Sequence, residues 1–277
     1  MSVHKASRTA LGTAYLRAAH QLFETQPRIL DDPVALSLLG SVALQRIKDT
    51  ADHYRTPESL VLRAHVVLRS RFAEDRLAVA VLRGITQYVI LGAGFDTFAL
   101  RQPPWAQTLK ILEVDHPGTQ AVKRSHLAAA CLAMPENAVF ADIDFEHESL
   151  HDGLLRYHVS MDEPTFFSWL GVTMYLKEDA IDAVLRSVAT FPAGSEIVLT
   201  FAPPPGDSPS PLAERTASLG EPWVSYFKPD ALEAKLRCTG FSKVEFLSTA
   251  DAEARYFRQR SGDLPVPKRT NILYAML

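Results

Sequence analysis

Through position 85 the apolar residues recur at helical spacing, and short strand-like runs begin only afterwards. Leu11, Tyr15, Leu16, Ala19 and Phe23 predict a helix over residues 7–24, which Pro27 must end. Ile29-Leu30-Asp31-Asp32-Pro33 reads as a turn, with Asp32 as N-cap and Pro33 at the first position of the next helix. A further helix is predicted from Pro57 to Arg83, carrying Arg63, Arg69, Arg71 and Arg76. Gln87–Leu91 is then a short apolar run of the kind buried on both faces of a parallel sheet. A glycine turn and a short helix should follow it.

Further strands are predicted at 109–115, 138–140, 165–169 and 195–201, with helices at 117–130 and 178–190 between them. Two more strands fit at 243–248 and 271–276. Alternation of this kind implies right-handed βαβ units. The expected fold is α/β: a Rossmann-like, doubly wound, seven-stranded and mostly parallel sheet. The whole chain, 1–277, is expected to be a single domain. Residues 1–85 would be a helical extension and 86–277 the core, with a lid at 202–228; its proline-dense part, 202–211, reads equally as a linker or as a lid or substrate wall.

The turn Leu91-Gly92-Ala93-Gly94-Phe95-Asp96-Thr97 is the first chemical signal. Glycines at a strand end allow close backbone approach to a ligand, and a helix N-terminus beyond them would favour a carboxylate. A dinucleotide fingerprint would place a third glycine where Thr97 stands, which disfavours NAD. No Tyr-x-x-x-Lys pair follows the fourth strand either. Asp115 ends the second strand 21 residues after Gly94, where such folds place a carboxylate for ribose hydroxyls, and Glu113 shares its face. Asp142-Ile143 after the third strand suits an adenine, the acid accepting from the amine and the isoleucine packing on the ring.

Residues 89–101 closely resemble the first motif of the leucine carboxyl methyltransferase family, which includes bacterial polyketide O-methyltransferases. Glu113-Val114-Asp115-His116-Pro117 with Lys123-Arg124 is similar to its second motif, and Trp169–Leu176 to its fourth-strand motif. Ile29–Pro33 and Arg69-Ser70-Arg71-Phe72 resemble its N-terminal pattern. The resemblance covers residues 8–200. It implies S-adenosyl-L-methionine as cofactor and O-methyl transfer, with a place in secondary metabolism. It also implies that Gly92, Ala93, Gly94 and Asp96 line the methionine part of the cofactor. Asp115 and His116 would serve the ribose, Asp142 and Ile143 the adenine, and Arg69 the carboxylate. Trp169 and Leu170 would border the site, and Tyr175 would face the reacting atoms. Leu170 stands where many members carry Glu, so the usual contact to the cofactor ammonium is missing; a backbone carbonyl around Leu91 or Trp169 is one replacement.

A carboxylate acceptor arrives ionised, whereas a phenol can need a base, for which His20, His65 and His116 are candidates. Trp223, Tyr226 and Phe227 read as a substrate wall or as core. The expected acceptor is a small phenol or carboxylic acid. A protein C-terminal carboxylate and a non-catalytic cofactor-binding role remain alternatives. With 29 basic and 32 acidic residues the net charge is -3, which points to neither nucleic acid nor an anionic membrane. No apolar run suits a signal peptide or a spanning helix, so a cytoplasmic location is expected. Cys131 and Cys238 are expected to be buried thiols, and no metal site is indicated. The sequence carries no signal for oligomeric state.

Overall fold

The Ser7 hydroxyl accepts from the Ala10 N–H at 3.0 Å and opens α1 (Arg8–Phe23). This is a computed structural model that describes residues 6–206, 210–260 and 262–277. Asp32 caps α2 (Val34–Asp49) as expected, its carboxylate accepting from the Ala35 N–H at 3.2 Å. After the short α3 (Ala51–Arg55), Thr56 accepts from the Ser59 N–H at 3.3 Å. That cap starts α4 (Pro57–Leu82), with Pro57 where an N–H would lack a partner in any case. No strand forms before position 87 among the described residues.

The core then alternates: β1 (Gln87–Leu91), β2 (Lys110–Asp115), α5 (Pro117–Ala129), β3 (Ala138–Asp142), α6 (Leu150–Arg156), β4 (Thr165–Trp169), α7 (Glu178–Val188) and β5 (Glu196–Thr200). It continues with α8 (Pro211–Ser218), α9 (Pro229–Thr239), β6 (Lys243–Phe246), α10 (Thr249–Ala252) and β7 (Ile272–Met276). The seven strands form one sheet in the order β3-β2-β1-β4-β5-β7-β6. β1 to β5 run parallel, and β7 pairs antiparallel with both β5 and β6. The fold is thus the expected Rossmann-like doubly wound sheet. Its order reverses between β1 and β4, so a crevice opens at the carboxyl ends of those two strands.

Successive residues of β1 enter opposite cores. Tyr88 and Ile90 pack with Val67, Phe72 and Leu77 of α4, while Val89 and Leu91 pack with Val184 and Leu185 of α7 and Leu236 of α9. A third apolar cluster joins α1 and α2 to Phe95, Leu127 and Phe140, seating the N-terminal helices beside the glycine turn.

Four expectations change. No α-helix follows the turn, only 3₁₀ turns at Phe98–Leu100 and Pro104–Ala106, because the Asp96 carboxylate takes the Phe98 N–H at 2.7 Å and Pro103-Pro104 lies just beyond. Helices α6 and α9 were not expected; α6 has only 7 residues, and α9 buries only Leu232 and Leu236. The stretch 202–228 contains α8, and its residues 207–209 lie outside the described part. Cys131 and Cys238 are both exposed, Cys131 closing α5 with φ 54° and Cys238 on the outer face of α9.

Candidate active site

Gly92 and Gly94 take φ of 66° and 52°, values that favour glycine. The turn is tied down by the Ala93 N–H to Val114 O at 2.9 Å and by the Asp96 N–H to Ala93 O at 2.7 Å. The protein's own side chains occupy the open faces of both glycines. A Cβ on Gly92 would run into the Val172 side chain, and one on Gly94 would sit 3.1 Å from the Ala10 Cβ of α1. Close packing within the chain is thus one reason why these two positions are glycine.

Asp115 closes β2 beside that turn. Its carboxylate accepts the Gly94 N–H at 2.5 Å and the His116 N–H at 2.7 Å. Burial raises its pKa, and the two backbone donors pull it back only in part. Asp142 stands opposite Asp115 in the register, and the Ile143 N–H donates to Asp115 O at 3.0 Å. The ends of β1, β2 and β3 thus meet, bringing Gly92, Gly94, Asp115 and Asp142 together. Asp142 is exposed. Ile143 is 1% exposed and packs over Gly153 of α6, so its side chain lies in the core and not on the crevice wall.

Glu113 points where period two sends it but is sealed beneath the site, ion-paired with the equally buried Lys123 of α5. Burial pushes Glu113 up to about 7 despite that partner. The His116 Nδ1 caps α5 by accepting from the Gly118 N–H at 3.0 Å, and its Nε2 lies 3.7 Å from Asp144. His65 binds Thr270 O through Nε2 at 2.8 Å, and burial together with the charge of Arg69 pushes its pKa down to about 4. His20 is buried against Glu24 at 2.8 Å. All three candidate bases are committed to structural contacts.

Across the crevice, Trp169 is fully buried and contributes a core ring. Leu170 is half-buried against the α4 side of the sheet. Gly171, at φ 77°, lies directly under the guanidinium of Arg69, whose Cζ and Nη2 would be 2.7 Å from a Cβ there. The other α4 arginines are paired: Arg63 with Glu24, Arg71 with Asp75, Arg76 with Glu245. Arg69 has no hydrogen bond or ion pair among the described residues. Burial lowers its pKa to about 10, against the pull of the neighbouring Tyr175 and Asp96. Tyr175 ends the 3₁₀ turn Thr173–Tyr175, and its hydroxyl makes no hydrogen bond among the described residues.

Sequence reading missed how the N-terminal helices close this end of the sheet. Arg17 of α1 donates to Phe95 O, lies 3.4 Å from Asp32 and 3.8 Å from Asp96. Asp32 is fully buried and also takes the Thr97 hydroxyl at 2.7 Å and Arg101 at 3.4 Å. Asp32 is thus more than a helix cap: its second oxygen fastens the extension to the glycine turn. Only the position of Asp32 inside a recognisable N-terminal pattern could have hinted at this. Among the described residues no cluster of His, Cys, Asp or Glu could hold a metal ion, and no helix is long and apolar enough to cross a membrane.

The profile of leucine carboxyl methyltransferases matches residues 10–189, which takes in α1, the glycine turn, Asp115 and the Trp169–Tyr175 loop. The chain belongs to the leucine carboxyl methyltransferase family. YktD of Bacillus subtilis (strain 168), provisionally named an S-adenosyl-L-methionine-dependent methyltransferase, is 30% identical over 100% of this chain and 99% of its own. A protein of Parafrankia sp. (strain EAN1pec) with the same provisional name is 32% identical over 69% of this chain and 62% of its own. Among solved structures, a DUF574 family protein of Streptomyces avermitilis superposes with TM-score 0.57 at 16% identity, covering 98% of this chain and 97% of that one. A provisionally assigned methyltransferase of Thermobifida fusca YX gives 0.56 at 19% identity, covering 91% and 94%. These two likenesses concern the fold alone.

Proposed function

We propose that this family member is an S-adenosyl-L-methionine-dependent O-methyltransferase acting on a small phenol or carboxylic acid. The reading rests above all on Arg69: a half-enclosed, unpaired guanidinium between Gly171 and the glycine turn, which suits the cofactor's carboxylate. Gly92, Ala93 and Gly94 would border the methionine part. Asp115, with His116 beside it, would hold the ribose, and Asp142 the adenine amine. Ile143 would support that wall only from within the core. Trp169 would act likewise, as a buried support.

Leu170 brings no carboxylate to the ammonium. Asp96 would supply one instead, since it lies near both Arg17 and Arg69 and one of its oxygens reaches only the distant Arg17. The bound cofactor supplies an electrophilic methyl on a sulfonium. The chain's part is to align an acceptor oxygen with it and to exclude water. With the three histidines engaged elsewhere, the site favours an acceptor that carries its own negative charge or ionises readily. Tyr175 would border that acceptor. The lid reading of 202–228 is supported by the bonds of Val224 and Ser225 to Met174 O, at 2.8 and 3.3 Å, beside Tyr175.

The test is transfer of labelled methyl from S-adenosyl-L-methionine to a panel of phenols and aromatic acids, beside calorimetry with S-adenosyl-L-homocysteine. Transfer to at least one acceptor is expected. Tight cofactor-product binding without transfer to any acceptor, small or protein, would leave only a binding role.

A further inference from the structure

Arg69 keeps its seat only as long as Gly171 keeps its backbone, and a glycine holds no conformation by itself. β4 and β5 pair as far as Trp169 and Leu199, so Gly171 lies beyond the ladder and its N–H needs another acceptor. Thr200, the last residue of β5, supplies it. Its hydroxyl oxygen accepts the Gly171 N–H at 2.7 Å, and its carbonyl accepts the Thr173 hydroxyl at 2.8 Å. The loop is thus pinned on both sides of Val172.

The clamp belongs to the sheet and not to the loop. Thr200 is fully buried and stands opposite Ile272 of β7 in the antiparallel register. Alternation along β5 sends Val198 to the α4 side and Leu199 to the α7 side, which returns Thr200 to the side where Arg69 stands. The rest of the strand core is Ile197-Val198-Leu199, and valine has nearly the shape of threonine. A buried hydroxyl in such a run is costly unless it is bonded, and its bond goes to the residue directly under the guanidinium.

Three contacts fan out from the pinned loop. Gly171 carries the Arg69 guanidinium, Val172 covers Gly92, and the Tyr175 N–H to Val172 O at 2.9 Å closes the turn that bears Tyr175. We infer that Thr200 is a positioning residue for the amino-acid end of the cofactor, an inference that rests on the role given to Arg69 above. A carboxylate taken through two parallel N–H groups demands a guanidinium plane of fixed orientation. Thr200 fixes the peptide on which that plane lies. Without its hydroxyl the Gly171 N–H goes unmet, the peptide turns toward another acceptor, and the guanidinium loses its orientation with its support.

The probes are S-adenosyl-L-homocysteine and 5′-methylthioadenosine, which keeps the nucleoside and the sulfur but has neither carboxylate nor ammonium. Both are titrated calorimetrically into the full chain. Thr200→Val, close in shape but without an acceptor, should weaken S-adenosyl-L-homocysteine at least about fivefold and leave 5′-methylthioadenosine unchanged. Thr200→Ser should hold the native affinity within about twofold, and Thr200→Cys, whose thiol is a weak acceptor, should fall between. In an Arg69→Ala background, Thr200→Val should cost S-adenosyl-L-homocysteine nothing more. Equal losses for both ligands in T200V would make Thr200 a general support of the fold and overturn the inference. Native affinity in T200V, or an undiminished loss in the Arg69→Ala background, would overturn it too. All three outcomes leave the methyltransferase reading in place. A native protein that binds no S-adenosyl-L-homocysteine removes that reading, and this inference with it.

Discussion

The guanidinium of Arg69 rests on Gly171, where its Cζ and Nη2 leave only 2.7 Å to the place a Cβ would occupy. Any side chain at 171 would evict the arginine. The positive φ of Gly171 and the absence of a carboxylate partner for Arg69 are two halves of one arrangement: the backbone makes room for a cation that the protein does not itself neutralise. Removing Arg69 should therefore cost binding and spare the fold. Arg69→Ala is expected to weaken S-adenosyl-L-homocysteine at least tenfold, about 1.4 kcal/mol, with little change in melting temperature. Arg69→Lys should recover only part of the loss, because a lysine cannot bind a carboxylate through two parallel N–H groups. Calorimetry and a thermal melt on the same samples decide it, and a large fall in melting temperature with unaltered affinity would contradict this role.

Asp115→Ala removes the acceptor for two backbone donors, Gly94 and His116, as well as the expected ribose contact. Affinity for S-adenosyl-L-homocysteine should fall at least tenfold. The unfolding free energy should also drop by about 1–3 kcal/mol, the cost of leaving such donors unmet. A urea titration reads the second effect separately from the first.

Gly92→Ala forces a methyl group toward Val172 and demands φ of 66° from alanine. A loss of about 2 kcal/mol or more is expected from strain and overpacking together. The double variant Gly92→Ala with Val172→Ala should recover the packing part alone. If the single variant melts like the native protein, the turn has another conformation in solution.

Glu221→Ala should release the first turn of α1 from the segment after α8, where the Glu221 carboxylate accepts from the Ser7 hydroxyl at 2.9 Å and the Thr9 N–H at 3.3 Å. Amides of residues 7–14 are expected to exchange with deuterated water faster by tenfold or more, while the β1–β5 amides keep their protection. Unchanged exchange in α1 would mean that its apolar contacts suffice to hold it.

His65 makes stability depend on pH. Its folded pKa of about 4 lies below the ordinary value of about 6.5, so between those limits the unfolded chain binds a proton that the folded chain does not. The associated stability is present above pH 6.5, is lost as pH falls toward 4, and changes no further below that. His65→Gln should flatten this part of the urea-derived stability curve. Parallel curves for the two proteins would assign the acid sensitivity to other groups.

Much of the sheet could be read directly from the chain. β1 and β4 have the expected bounds, and β2 and β5 differ by a residue at their ends, because short apolar runs between helical stretches leave few other places for a parallel strand. The glycine turn and Asp115 were legible for the same local reason, being set by strand ends. Other features were not. A fully buried Arg17, His20, Glu24 or Lys123 looks in sequence like a solvated charge, and only its partner, often far along the chain, explains its burial.

Local pattern determined which segments became strands, which helices start where, and that an acid would stand at the end of β2. These depend on backbone preferences and on periodic burial, and both act over a few residues. The tertiary structure alone decided that Ala10 and Val172 cover the glycines, that Asp32 locks the extension onto the turn, and that Arg69 stays unpaired while its three neighbours on α4 do not. Each of these depends on which distant groups meet, and on whether a charge finds its counterpart there. Spacing along a chain carries no record of such meetings.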